Sequence, residues 1–387
     1  MHRIGIFGSH PVQYKAPLYR QLAGSGRFKI SVAYGSRMGV EEQDLGFSGE
    51  HKWDIDLLTG YEYEFLKNYA LDPDGEFFSR INPEMWRWVC PNWDALWIHA
   101  GMFTASSAIA LTAAKCKGVP VILHNPSHLR NAPLSRQILR RSYAGPFLRS
   151  VDAILADCER NREYFHKLGA NPDDVYLFPC AVDNDRFQDA RKELDQPVID
   201  ELRSELGIPD EDTIVLFVGK FTKRKRPRDL IDAMNQLPVD CDVSAILVGD
   251  GPLREQLEEA ARKQNTNRVV FAGFGNQSEQ PAFYELGDLF VIPSAYDPSP
   301  KVMNEAMNFE LPIVASDGVG TADDMIRDNG RVFSTGNVEQ LSDILHTIIA
   351  DDSCRERMGR RSLDIVNQWD FEADIEVLEE VVAEVSS

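Results

Sequence analysis

Apolar residues in this chain gather into short runs that stop at a glycine, a proline or a small polar residue, and a segment of helical spacing follows most of them. Arg3 to Phe7, Lys29 to Tyr34, Ala95 to Ala100, Val119 to Leu123 and Asp152 to Ala156 read as strands of a first sheet. Thr213 to Val218, Ala245 to Val248, Val269 to Ala272 and Leu289 to Ile292 read as strands of a second. The spacing places helices over Pro17 to Ala23, Ser106 to Lys115, from Pro227 onward and over Phe371 to Val385. Trp53-Asp-Ile-Asp56 alternates like a half-exposed strand, and Leu57 to Trp93 is irregular. A βαβ opening puts the loop Gly8 to Tyr14, with His10, at the carboxyl edge of the first sheet, where α/β proteins bind ligands. His99 and His124 end two further strands at that edge.

A chain of 387 residues exceeds the usual single domain, so two are expected. The turn at Pro179 followed by the charged run Gln188 to Gln196 suits a linker, which gives domains of 1–187 and 188–369 and a final helix at 370–387. With 43% hydrophobic and 26% charged residues the composition is that of a soluble globular protein. Six scattered cysteines form no ligand-like spacing, so neither zinc nor a disulfide framework is expected. The first residues run straight into a strand, and no apolar run approaches the ~20 residues of a membrane helix. A cytoplasmic protein, neither exported nor spanning, is the expectation.

The formal charge of −20 argues against general nucleic-acid binding. It is unevenly spread. Between Asp94 and Asp152 there is no acid, while Lys115, Lys117, Arg130, Arg136, Arg140, Arg141 and Arg149 fall there. Arg136, Arg140 and Arg141 read either as a solvated helix face or as the seat of an anionic acceptor or a phospholipid headgroup, the latter implying peripheral contact with an anionic membrane surface. Six further cations lie between Lys220 and Arg228, directly after the strand that stops at Gly219. Crowded like charges repel unless an anion sits among them.

The most informative stretch runs from Ile292 to Asp317. Pro293 and Ser294 close a buried strand, and a helix should follow with Ser299 as its cap and Pro300 in its first turn. Asp297 then precedes the helix and Glu305 lies on its second turn. A helix amino end flanked by two carboxylates suits a phosphate joined to a sugar. This stretch, two acids eight apart followed by Ala-Met and Pro312-Ile-Val-Ala-Ser-Asp317, resembles the acidic pair motif of family 4 glycosyltransferases, retaining enzymes of the GT-B fold. Val175 to Phe187 is similar to that family's interdomain crossover, with Cys180 and Ala181 replacing Asn and Gly. Asp297 stands where Glu is usual and Pro300 where Gly is usual, and Lys301 could supply the charge that a lost backbone donor would have offered.

The resemblance implies two Rossmann-like domains with parallel sheets facing a deep interdomain cleft, the last helix returning to the first domain. It implies a retaining hexosyltransferase that moves a sugar from a nucleotide diphosphate donor to a hydroxyl acceptor, in glycan, polysaccharide or glycolipid synthesis. Lys220 and Lys225 would hold the diphosphate without a metal, Asp297 the sugar hydroxyls, and Glu305 the ribose. The backbone near Phe274 would meet the base, with Gly219, Gly249, Ser299, Lys301 and Val302 completing the donor site. His124 would contact the transferred sugar, and His10, His99, Arg136 and Arg140 would face a carbohydrate or lipid-linked acceptor. A nucleotide-sugar epimerase of the same fold and a non-catalytic donor-binding subunit remain as alternatives.

Overall fold

A computed structural model of the chain describes residues 1–40, 53–71, 77–127, 142–263 and 269–387. The chain forms two compact units, Met1–Gln43 with Asp56–Cys180 and Phe371–Ser387, and Asp44–Ile55 with Ala181–Asp370.

In the first unit β1 (His2–Gly8), β2 (Phe28–Tyr34), β3 (Glu62–Phe65), β4 (Ala95–His99), β5 (Val121–His124), β6 (Ala153–Ala156) and β7 (Val175–Leu177) build a seven-stranded sheet in the order β3-β2-β1-β4-β5-β6-β7. In the second, β8 (Thr213–Val218), β9 (Val243–Val248), β10 (Val269–Gly273), β11 (Leu289–Ile292), β12 (Ile313–Ser316) and β13 (Gly330–Phe333) build a six-stranded sheet in the order β10-β9-β8-β11-β12-β13. Every pairing among them is parallel. The central strands are buried along nearly their whole length, as unbroken apolar runs such as Ile214 to Val218 require when helices cover both faces. In each sheet the strand order reverses once, between β1 and β4 and between β8 and β11. Loops leaving the carboxyl ends of strands on either side of such a reversal diverge and leave a crevice, the usual ligand position of open α/β sheets.

The sequence pattern missed β3, whose Glu62-Tyr-Glu-Phe65 is mostly exposed at the sheet edge and carries no apolar run. It also misread Trp53 to Asp56, which is not a strand. Asp56 accepts from Leu58 N at 2.9 Å, Thr59 N at 3.1 Å and Thr59 Oγ1 at 2.6 Å, and this local turn competes with any ladder. Ser299 does not cap the helix Lys301–Met307. Pro300 takes the cap position with φ −71° and ψ 111°, and the Ser299 hydroxyl instead accepts from Lys301 Nζ at 2.8 Å.

The chain passages at Cys180–Ala181 and at Asp370–Phe371 are fastened locally. The sequence reading put the boundary at 187, whereas the division falls between Cys180 and Ala181, because the helix Asn184–Glu193 belongs wholly to the second unit. Asn184 donates to Val366 O at 2.9 Å and Trp369 O at 3.1 Å. The helix Phe371–Val385 packs in the first unit, beside the helix Ala16–Gly24 and β7, with Phe371, Ile375, Leu378, Val381 and Val382 on its buried face. Arg27 pairs with its Glu372 and, at 3.6 Å, with Glu379. Asp374, fully buried, accepts from Cys180 N at 2.7 Å. Among the described residues no helix is long and apolar enough to cross a membrane.

Asp374→Ala leaves the Cys180 amide without this acceptor and removes a charged one, so it should destabilise the first unit by about 1.5–3 kcal/mol. A urea midpoint that does not move in fluorescence-detected unfolding would show that this bond does not hold the helix.

Candidate active site

In the second unit, the reversal between β8 and β11 brings together two of the predicted donor residues, Lys225 and Asp297. The backbone there is packed tightly enough to require glycine. Gly249 has φ +146°, and a Cβ on it would lie 2.0 Å from Gly219 O. Phe221 N donates to Asp250 O at 2.8 Å and Leu253 N to Phe221 O at 3.1 Å, which laces the loop after β8 to the loop after β9. The loops after β11 and β12 are joined in the same way. Asp297 N donates to Gly318 O at 2.9 Å and Gly320 N to Asp297 O at 2.7 Å, and a Cβ on Gly318 would lie 2.3 Å from Ser294 O.

Across the reversal, Lys225 from the loop after β8 pairs directly with the Asp297 carboxylate from the loop after β11. Both side chains are largely buried, at 13% and 8% exposure, so each charge depends on the other for compensation. Arg224 stands 3.9 Å from the second Asp297 oxygen, accepts from Ala295 N through its carbonyl at 2.8 Å and donates to Tyr296 O at 3.3 Å. The rest of the basic loop is partly neutralised at home. Arg226 grips Asp229 at 2.6 and 2.9 Å, and Arg228 pairs with Asp232 at 2.7 Å. Crowded cations are therefore relieved in part by protein carboxylates rather than solely by a bound anion.

Glu305, on the helix after Pro300, is buried, and its Oε2 accepts from Tyr284 OH at 2.7 Å. Burial pushes its carboxyl above the usual range, and the Tyr284 bond and the charges of Arg186, Lys301 and Lys225 offset this only in part. Burial likewise raises the Tyr284 phenol, with the Glu305 charge adding to it. The Phe274 ring packs 5.7 Å from Trp53. Asp54, beside it, donates through its amide to Asn276 Oδ1 at 3.2 Å and accepts from Ser278 N at 3.1 Å. Trp53 and Asp54, remote in sequence from any phosphate-binding feature, thus belong to the second unit and buttress the loop after β10, whereas Asp56 belongs to the first.

In the first unit, strand-end residues of β4, β5 and β6 form a buried polar layer. His124, fully buried, is hydrogen-bonded through Nε2 to Asp157, and Asp157 N donates to Asn161 Oδ1 at 3.1 Å. His99, 2% exposed, lies ring to ring with His124 at 4.4 Å, stacks on Trp97 at 4.6 Å and is hydrogen-bonded through Nδ1 to Tyr19 OH at 3.0 Å. Lys15 donates to His99 O at 2.9 Å, and His10 Nδ1 lies 3.0 Å from Ser9 Oγ. His124, Asp157 and Cys180 bring potential metal-ligand atoms within 4.8 Å of one another, a grouping that sequence spacing did not reveal. Within this group His124 Nε2 and Asp157 bond directly as a histidine–carboxylate pair. Arg136 and Arg140 lie outside the described residues, as do Arg130 and Arg141. Of the described members of the acid-free stretch, Lys115 pairs with Asp152 at 2.7 Å, and Lys117 donates to Trp86 O at 2.5 Å and Val89 O at 2.6 Å.

Arg224, Tyr284 and Asp157 were not singled out in the sequence. Asp157 carried a signal, since it follows an apolar strand just as His99 and His124 end theirs. Tyr284 carried none, because its partner lies on another element.

Two doubly wound α/β units, one with a basic loop and an acidic loop meeting at its strand-order reversal, define the class of open α/β proteins whose ligand crevice lies at such a reversal. Residues 198–363 match the family model described as glycosyl transferases group 1, and residues 68–181 match the glycosyl transferase 4-like domain. The chain belongs to the glycosyl transferase group 1 family and has its GT-B architecture. It is 29% identical over 221 residues to the alpha-D-kanosaminyltransferase of Streptomyces kanamyceticus, covering 56% of this chain and 55% of that one. It is 27% identical over 286 residues to the sulfoquinovosyl transferase SQD2 of Arabidopsis thaliana, covering 71% and 54%. The chain thus spans about half the length of these curated relatives. HepE of Anabaena in complex with UDP superimposes with a TM-score of 0.77 at 20% identity, covering 99% of this chain and 100% of that one. Its complex with UDP-glucose gives 0.74 at 17% identity over the same shares of the two chains.

A carboxyl raised by burial favours the folded state most below its unfolded pKa, and that advantage is lost as pH rises through the folded value. Glu305→Gln keeps an acceptor for Tyr284 but has no charge to bury. Its melting temperature minus that of the wild type should therefore grow as pH rises from about 4.5 through the folded Glu305 pKa, then level off. A difference that stays flat from pH 4 to 8 would mean that Glu305 ionises without penalty.

Proposed function

We propose that this chain is a retaining glycosyltransferase that moves a hexose from a nucleotide diphosphate donor to a hydroxyl of a carbohydrate or lipid-linked acceptor. One observation carries the reading: Lys225 and Arg224 converge on Asp297 at the strand-order reversal, with Glu305 on the helix that follows. The family membership and the UDP-glucose held by the structurally similar HepE support it.

In this reading the second unit takes the donor. The ion pair holds Lys225 and Asp297 in position before the donor arrives. The diphosphate then shares Lys225 with Asp297 and recruits Lys220 and Arg224, while Asp297 accepts from sugar hydroxyls. As the glycosidic bond breaks, negative charge grows on the diphosphate, and cations already fixed in place stabilise it without reorganising. The reaction is proposed to need no metal. Glu305 accepts from the ribose hydroxyls through the oxygen that Tyr284 does not occupy. Gly219 and Gly249 let the backbone approach the nucleotide, the backbone at Phe274 meets the base, and Ser299, Lys301 and Val302 complete the donor contacts. The first unit takes the acceptor, with His10 and His99 on that side and His124, oriented by Asp157, directed at the transferred sugar. A basic acceptor surface including Arg136 and Arg140 would suit a peripheral position on an anionic membrane face at the cytoplasmic side.

Lys225→Ala should lower turnover of a UDP-hexose about 10²- to 10³-fold, the scale of one lost preorganised stabiliser. Because this also strips Asp297 of its partner, the double variant Lys225→Met with Asp297→Asn serves as the control for folding. The test is incubation of the purified chain with labelled UDP-glucose and other UDP-hexoses. Transfer or slow hydrolysis with retention at the anomeric carbon is expected. An epimerised donor, binding without turnover, or full turnover in Lys225→Ala would overturn the reading.

A further inference from the structure

Arg226 follows Lys225 directly and stands at the junction between the basic loop and the helix Pro227–Met234. Its backbone is left-handed, with φ 51° and ψ 43°, a conformation that crowds the Cβ of any residue but glycine against the following carbonyl oxygen. The cause lies in the two turns that meet there. Lys225 N donates to Thr222 O at 3.1 Å and Arg226 N to the same carbonyl at 3.2 Å, which closes one turn. Asp229 N donates to Arg226 O at 3.0 Å, which opens the next. The Pro227 ring disfavours right-handed helical geometry at the residue before it, so the first turn cannot run on into the second and the chain bends at 226. A left-handed residue closing a helical turn is ordinarily glycine. Here it is arginine.

The side chain accounts for the choice. Arg226 Nε donates to Asp229 Oδ2 at 2.6 Å and Nη2 to Asp229 Oδ1 at 2.9 Å, so one guanidinium takes both oxygens of a buried carboxylate. Charge-assisted forks of this kind are among the stronger hydrogen-bonded pairs and fix direction as well as distance. The guanidinium also packs on the loop after β13, where a Cβ on Gly336 would lie 3.0 Å from Arg226 Nη2. That loop is tied in turn to the loop after β12. Thr335 N and Oγ1 donate to Asp317 Oδ1 at 2.9 and 2.5 Å, and the next residue, Gly318, accepts from Asp297 N at 2.9 Å. The basic loop therefore reaches the Asp297 loop by two routes, the Lys225 ion pair and the Arg226 side chain.

We propose that Arg226 is a positioning residue for Lys225. Its fork on Asp229 holds residue 226 left-handed, and that bend aims Lys225 at Asp297 and at the diphosphate of a nucleoside diphosphate donor. This role rests on the donor reading of the second unit. A side chain at 226 that lacked the fork would let the position before the proline relax toward the extended region, and Lys225, one residue back, would swing with the turn. Glycine would keep the bend with no fork at all, because the left-handed region costs it nothing. The guanidinium charge is already matched by Asp229, so Arg226 contributes the bend to the site and not a further cation.

Two double variants separate the bend from the charge: Arg226→Met with Asp229→Asn, and Arg226→Gly with Asp229→Asn. Both lose the cation, and neither leaves a buried carboxylate without its partner. Titration with UDP and with uridine, which lacks the diphosphate, is the readout, together with thermal melting. The Arg226→Met chain should bind UDP at least ~10-fold more weakly than the wild type, the scale of one lost charge-assisted bond, and uridine as before. The Arg226→Gly chain should bind UDP within about 3-fold of the wild type and melt above the Arg226→Met chain. Three results would each overturn the role of Arg226 while leaving the donor reading intact: equal UDP affinities in the two variants, uridine affinity falling in step with UDP in the Arg226→Met chain, or an Arg226→Met chain that melts at or above the Arg226→Gly chain. A wild type that binds no UDP would overturn the donor reading, and this role with it.

Discussion

The ion pair between Lys225 and Asp297 is the constraint on which the second unit's site depends. Each residue ends up largely buried on a loop that leaves a different strand, so neither loop can settle without the other. The desolvation of both charges is offset because they meet and because the Arg224 guanidinium stands 3.9 Å from the other Asp297 oxygen. That explains the economy of the surrounding glycines. Gly249 and Gly318 have no side chain because the strand-end backbones they separate are already nearly in contact. A side chain at Gly249 would displace the loop after β8, which carries the lysine, and one at Gly318 the loop after β11, which carries the aspartate.

The first unit uses the same sheet topology to a different end. Its strand reversal is flanked by a lysine that donates to the His99 carbonyl, and its strand ends bear imidazoles and a carboxylate rather than free cations. Stacking on Trp97 and bonding to Tyr19 fix His99, and Asp157 fixes His124, so the layer is rigid and nearly dry. Rings held in this way keep defined tautomers, which a solvent-facing histidine would not.

Most of the parallel framework was legible in the sequence, because strands covered on both faces must be apolar throughout. Elements lacking that burial were not: β3 is an edge strand of Glu, Tyr and Phe, and Trp53 to Asp56 mimicked a strand by alternation while its acid was closing a turn. In the candidate site, the place of Gly249 on a strand-end turn, of Asp297 before the helix and of Glu305 on it could be read in advance. Pairings across elements could not. Nothing in the chain order joins Tyr284 to Glu305 or Lys225 to Asp297, and the preference of serine for helix caps pointed to Ser299, where proline took the position. The basic character of residues 95–151 was visible, but Lys115 shows that part of it answers to Asp152, just beyond the acid-free stretch.

The helix Phe371–Val385 sets an order on biosynthesis. Its buried face, and the Asp374 carboxylate that satisfies Cys180, belong to a unit whose other residues are translated first. Between Cys180 and Phe371 a ribosome must add roughly 190 residues, which at ordinary elongation rates takes about 10–40 s. During that interval the nascent first unit exposes the apolar strip that Ile375, Leu378 and Val382 will later cover, while the unit made second has everything it needs to fold. Completion therefore runs opposite to synthesis, and a circularly permuted chain that begins at Phe371 would let the two units mature in the order in which they emerge.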